Sequence, residues 1–151
     1  MNFDVFLSHN SKDKPTIEQI AKMLERTYQI KCWLDKWNLV PGDPWQDDLE
    51  KALDDCQTVA VLIGPNSISP WENEEMRLAL EARVHDRARR VIPVLLPGAP
   101  DNRNMNLPRF LTRLTWVDFR GGLNDKDMLY RLYCGVKGIA PGRGLPKPII
   151  R

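Results

Sequence analysis

Residues 58–63 read Thr-Val-Ala-Val-Leu-Ile, a run of β-branched and aliphatic side chains that ends at Gly64. A short apolar run without polar alternation is typical of a parallel strand that is buried on both faces. Working outward from this run, the sequence contains other short segments rich in strand-forming residues: residues 3–8, 30–34, 90–96 and 114–119. The sequence therefore predicts a sheet of five strands.

Helical patterns separate the predicted strands. Apolar side chains of the first helix recur at helical spacing: Ile17, Ile20, Ala21, Leu24 and Tyr28. The second helix is expected to follow Asp43 as its N-cap and to carry Trp45 in its buried stripe. A capping box at residues 69–72 opens a third helix, and residues 128–136 form a last one.

Strands that alternate with helices predict a parallel sheet with helices on both faces. The expected fold class is α/β, a flavodoxin-like three-layer sandwich with a central five-stranded parallel sheet. We assign this domain to residues 1–139. Residues 140–151, which are rich in proline and glycine, are expected to be a linker or C-terminal tail.

Composition excludes several classes of protein. A chain of 151 residues suits one domain, and a net charge of +2 is too small to indicate nucleic acid binding by itself. No apolar run approaches the roughly 18 residues of a membrane span, and no signal peptide is evident. Three separated cysteines and two histidines predict neither a disulfide framework nor a metal site, and they favour a reducing cytoplasm.

One carboxylate, that of Glu75, has an unusual position on the third predicted helix. At 100° per residue, Glu75 shares the apolar sector with Trp71 and Leu78, whereas Glu72 and Glu74 fall outside it. Placing a carboxylate on an apolar face costs desolvation unless the group has a partner or a chemical role. The alternative is that Glu75 only complements the positive end of the helix dipole.

Three segments, taken in order, resemble the Toll/interleukin-receptor (TIR) domain family. Residues 3–9 (FDVFLSH) resemble its first signature box, and residues 35–42, which end in Pro-Gly, resemble its second box and "BB loop". Ser69, Trp71 and Glu75 resemble the family's Ser-x-Trp-x-x-x-Glu segment. The third box is matched only loosely, as is common in bacterial-type members. The resemblance covers roughly the first 138 residues.

The resemblance implies a role for each matching position. In the NAD-cleaving members the glutamate corresponding to Glu75 is catalytic, and the aromatic residue corresponding to Trp71 lies beside the nicotinamide. Position in the loops implies five further substrate-binding residues: Ser8, His9, Asn10, Asp35 and Gly42. The BB loop corresponds to Lys36, Trp37, Asn38, Leu39, Val40 and Pro41. Asn10 and Ser11 replace two arginines of some animal members, so the phosphate contact is expected from Lys36 or backbone N–H groups.

The implied function is that of an NAD+ glycohydrolase or ADP-ribosyl cyclase in a signalling or immune-defence protein. NAD+ would be a substrate and not a cofactor, and no metal is expected. The implied partners are other TIR domains, through self-association, and further domains of a parent protein. The sequence leaves the product open among ADP-ribose, cyclic ADP-ribose and an isomer.

Other functions fit the predicted fold less well. A non-enzymatic TIR module that assembles through its BB loop remains the main alternative, although adaptors of this kind often lack the glutamate. A phosphoacceptor receiver domain requires an aspartate at the end of the third strand, where this chain has Ile63 and Gly64. A nucleoside deoxyribosyltransferase has a similar sheet and a glutamate nucleophile but no BB loop.

Overall fold

Five parallel strands form the centre of the structure, a computed structural model that describes residues 2–65, 80–83, 89–100 and 109–145. In chain order they are β1 (Phe3–His9), β2 (Cys32–Trp33), β3 (Cys56–Ile63), β4 (Arg90–Leu95) and β5 (Val117–Asp118). In space their order is β2-β1-β3-β4-β5, and every neighbouring pair is parallel. The predicted flavodoxin-like sheet is confirmed.

Helices cover both faces of this sheet. They are α1 (Lys14–Tyr28), α2 (Asp35–Asn38), α3 (Trp45–Asp55), α4 (residues 80–83), α5 (Arg109–Thr112) and α6 (Lys126–Lys137). The side chains of α1 and α6 pack on one face, and those of α3, α4 and α5 pack on the other. The three layers predicted from the sequence are therefore present.

Successive side chains along a strand point to opposite faces of the sheet and therefore belong to two separate hydrophobic cores. In β1, Val5 and Leu7 belong to the core under α1 and α6, whereas Phe6 belongs to the core under α3. Phe6 stacks on Trp33 with ring centroids 4.7 Å apart, which confirms the prediction that Trp33 is a core residue. A strand covered on both faces needs apolar residues at every position, which explains the continuous run in β3.

The segment after β2 differs from the predicted loop. Residues 35–38 form one helical turn, α2, because Asn38 Oδ1 accepts a hydrogen bond from the N–H of Leu34 and the N–H of Leu39 donates to Asp35 O. The bond to Asn38 also pairs the backbone N–H of Leu34, which lies beside the edge strand β2. Unpaired N–H groups at a sheet edge promote association with other chains.

The start of α3 is also displaced from the prediction. Its N-cap is Pro44, in an extended conformation, and not Asp43. Trp45, expected in the buried stripe, is 51% exposed, whereas Ala52 and Leu53 are buried as expected. Helical phase predicts which side of a helix faces the core, but not how far along the helix the underlying layer extends.

The chain beyond α6 turns back along that helix. Gly138 ends α6 in the left-handed conformation, and the N–H of Leu145 donates to Asp127 Oδ1 at the first turn of the same helix. The boundary between a domain of residues 1–139 and a tail of residues 140–151 stays a prediction. Among the described residues, no helix combines the length and apolarity needed to cross a membrane.

Candidate functional site

Three of the predicted site residues meet where β1 and β2 end. Ser8 is 5% exposed, and the imidazole of the next residue, His9, is almost fully buried. Nδ1 of His9 lies 3.1 Å from the carbonyl oxygen of Leu7 and donates to it, while Nε2 lies 3.8 Å from Oδ1 of Asp35. Parallel strands bring these residues together because their carboxyl ends share one edge of the sheet.

Lys14, which is not among the residues predicted from the sequence, joins this group. Its ammonium lies 3.0 Å from both carboxylate oxygens of Asp35. Asp35 therefore lies between a histidine on β1 and a lysine at the first position of α1. The sequence did contain a signal for Lys14, namely a cation five residues after the first signature box and at the start of the first predicted helix.

Lys36, predicted as a phosphate contact, is engaged elsewhere in this structure. Its ammonium lies 2.9 Å from Glu18 Oε1, and this hydrogen bond is the main reason why the pKa of Glu18 is below its usual value. Glu18 is ionised at neutral pH, and the lowered pKa means that the contact weakens at a lower pH than it would for an ordinary glutamate, as the pH falls through that pKa. The pair connects the BB loop to α1.

The remainder of the BB loop ends in a tight turn. The N–H of Asp43 donates to the carbonyl of Val40, and Gly42 has a φ of +96°, which identifies a type II turn with Pro41 at its second position. Val40 is 57% exposed and Trp37 is 37% exposed. The loop thus presents apolar side chains to solvent, while Gly42 provides a conformation that other residues rarely adopt.

A buried carboxylate supports the segment that follows β3. Asp13 is 4% exposed, and its N–H donates to the carbonyl of Asn10, another predicted site residue. A Cβ atom placed on Gly64 would lie 2.6 Å from the carboxyl carbon of Asp13. The absence of a side chain at Gly64 is what allows this carboxylate to approach the end of β3.

Gly64→Ala is therefore expected to lower the free energy of unfolding by about 1–3 kcal/mol, because the buried Asp13 carboxylate must move to make room. The measurement is urea denaturation followed by circular dichroism. Gly121→Ala is the matched control, since a Cβ there meets nothing within 4 Å. Equal stability of the two variants would show that the contact between Asp13 and Gly64 tolerates a methyl group.

Arg83 has a structural role that its sequence context did not indicate. The run of Arg83, Arg87, Arg89 and Arg90 suggests a solvated helix end, yet Arg83 is 7% exposed. Its guanidinium donates to the carbonyl oxygens of Leu53, Cys56 (2.6 Å) and Gln57 (3.2 Å). Arg83 thereby connects α4 to the junction between α3 and β3.

Cys32 and Cys56 do not suit a catalytic role. Burial raises the pKa of Cys32 and of Cys56 to about 12, so neither is a thiolate nucleophile at neutral pH. Both lie within the core as small apolar side chains. Among the residues that the structure describes, no group of three or more His, Cys, Asp or Glu side chains could hold a metal ion.

Glu75 and Trp71, which carry the predicted chemistry, lie outside the described residues. Described segments border them on both sides: β3 ends at Ile63 with the Asp13–Gly64 contact just beyond it, and α4 is anchored by Arg83. The assignments of Glu75 and Trp71 stay predictions.

Comparison with known proteins decides the family. The family profile described as "TIR domain" matches residues 5–133, which is most of the chain. The chain belongs to the TIR-domain family. The resemblance identified in the two signature boxes is thereby confirmed, and the order of strands agrees with it.

Solved structures show the same fold at low sequence identity. The TIR domain of the Toll-related receptor TRR-2 from Hydra magnipapillata aligns with a TM-score of 0.64 and 20% identity, covering 89% of this chain and 98% of that one. A metazoan TIR-STING receptor from C. gigas, in complex with 2',3'-cGAMP, aligns with a TM-score of 0.64 and 23% identity. That match covers 84% of this chain but 38% of the receptor. No curated protein sequence matches the chain.

Proposed function

We propose that this TIR domain cleaves the bond between nicotinamide and ribose in NAD+, with Glu75 as the catalytic residue. The observation that carries the proposal is the spacing of Ser69, Trp71 and Glu75 in a chain that belongs to this family. The site at the ends of β1 and β2 supports it, because open parallel sheets bind ligands outside the carboxyl ends of their strands. Ser8, His9 and Asp35 lie there.

One carboxylate suits this reaction. Glycosidases ordinarily use two carboxyl groups, because the departing sugar oxygen must be protonated. Nicotinamide leaves NAD+ as a neutral molecule, so no general acid is needed. The requirement that remains is stabilisation of an oxocarbenium-like ribose, which the carboxylate of Glu75 can provide electrostatically while Trp71 stacks on the cationic ring.

The described residues suggest how the rest of the substrate is bound. Asp35 offers carboxylate oxygens to hydroxyl groups, and Lys14 places an ammonium beside it. We therefore propose Lys14, in addition to Lys36 and backbone N–H groups, as a source of the phosphate contact. Asn10 and Gly42 complete the proposed substrate-binding set.

The second candidate function is assembly through the BB loop without catalysis. The exposure of Trp37 and Val40 favours it, because exposed apolar side chains on a loop are typical of an interface. The two functions are compatible if assembly orders the loop for catalysis. We place the domain in the cytoplasm, within a bacterial-type signalling or immune-defence protein that carries further domains; the free, buried cysteines suit a reducing compartment.

Incubation with NAD+ and chromatography of the products tests the proposal. Protein at high concentration, or crowded on a surface that promotes assembly, is expected to release nicotinamide together with ADP-ribose or a cyclic form of it. The second product identifies whether water or the adenine of the same molecule accepts the ribose. If assembled protein leaves NAD+ intact, the assembly function is favoured instead.

A further inference from the structure

Charge is unevenly distributed along this chain. Residues 43–55 contain six carboxylates and one lysine. Residues 138–151 contain no carboxylate but three cations, Arg143, Lys147 and Arg151, together with proline and aliphatic residues. These two segments are therefore complementary in charge.

The acidic segment lines an open groove between α3, the BB loop and the edge strand β2. Three of its carboxylates contribute, those of Asp43, Asp48 and Asp55, and Lys51 is the cation beside them. The groove has a volume of about 260 Å³, and Phe3, Trp33 and Val40 form its apolar part. Carboxylates beside aromatic rings suit a cationic side chain that is attached to an apolar segment.

Trp33 is the aromatic wall of this groove. Its side chain is 5% exposed, lines the groove, and stacks on Phe6 with ring centroids 4.7 Å apart, which holds the ring in place. A fixed aromatic ring beside carboxylates suits the aliphatic stem and the cationic head of a lysine or arginine side chain.

We propose that this groove binds the basic segment of residues 141–151 from a second copy of the chain. Lys147 and Arg151 would pair with the groove carboxylates, and the prolines and isoleucines would cover its aromatic wall. The proposed contact is intermolecular because Leu145 is held at the start of α6, on the face of the sheet opposite α3 and the groove.

Such a contact joins the groove of one copy to the tail of another. The pair then still has one unoccupied groove and one unbound tail. Contacts of this kind build rings or open chains of subunits. The groove includes Asn38 and Val40 of the BB loop, so its occupation would also restrain that loop. The inference does not depend on NAD+ cleavage and is tested separately from it.

A charge-swap experiment on the full chain tests the proposal. The groove variant carries Asp48→Lys and Asp55→Lys, and the tail variant carries Lys147→Glu and Arg151→Glu. Sedimentation equilibrium at low ionic strength is expected to show association of the wild type and about tenfold or more weaker association of each variant alone. An equimolar mixture of the two variants is expected to associate again, because the reversed charges then attract.

The mixture is also the control for folding, since restored association requires both variants to be folded. Asp47→Lys is the matched control on the same helix, because Asp47 is exposed but does not line the groove. Its association is expected to match the wild type. The proposal is overturned if the wild type stays monomeric, if the mixture associates no better than either variant, or if Asp47→Lys weakens association equally.

Discussion

Glu75→Gln is expected to lower the rate of nicotinamide release by about 100-fold or more, with the protein still folded. Glutamine keeps the size and the hydrogen-bonding oxygen of the side chain but removes the negative charge. Removal of one preorganised electrostatic contact to a transition state typically costs about 100- to 1,000-fold in rate. The loss should appear in kcat more than in KM, because the positive charge on ribose develops only in the transition state.

Glu74→Gln is the control for this prediction. It makes the same chemical change at the adjacent position, which helical phase places outside the apolar sector. We expect the Glu74 variant to retain wild-type activity within about twofold. Equal losses in the two variants would argue against a catalytic role specific to Glu75, and a fully active Glu75 variant would exclude that role.

Arg83→Met is expected to cause the largest loss of stability, about 3 kcal/mol in the free energy of unfolding. Methionine retains much of the aliphatic volume but donates no hydrogen bonds. The carbonyl oxygens of Leu53, Cys56 and Gln57 would each lose a charged donor. The guanidinium also complements the negative carboxyl end of α3, so this favourable interaction is lost as well.

Urea denaturation monitored by circular dichroism measures this loss, and Arg131→Met provides the control. The guanidinium of Arg131 pairs with Asp127 at 2.9 Å, and the two side chains are 39% and 41% exposed. Exposed ion pairs contribute roughly 0–1 kcal/mol, so the control should change stability little. A similar small change in both variants would mean that the contacts of Arg83 contribute no more than a surface ion pair.

The architecture could be predicted because it depends on patterns within short segments. The apolar run at residues 58–63 and the helical spacing from Ile17 to Leu24 each report which faces of a local element are buried. The alternation of the two kinds of element then restricts the topology, since parallel strands need crossover helices. The motif in residues 3–9 also predicted the edge of the sheet at which Ser8, His9 and Asp35 lie.

The errors arose where the outcome depends on a neighbouring layer. Trp45 has the phase of a core residue but is half exposed, and Arg83 has the composition of a surface residue but is buried. In both cases the sequence specifies the side chain and its direction, while the extent of the adjacent elements decides whether that side chain meets solvent or protein.

By itself, the sequence determined the α/β fold, the family, and the spacing that nominates Glu75. Tertiary structure alone decided that Lys14 contacts Asp35, that Asp13 lies against Gly64, and that the carboxylates of α3 share a groove with Trp33. The physical reason is the distance along the chain over which each kind of interaction acts. Local periodicity follows from backbone geometry over a few residues, whereas contacts between distant residues follow from how whole layers pack.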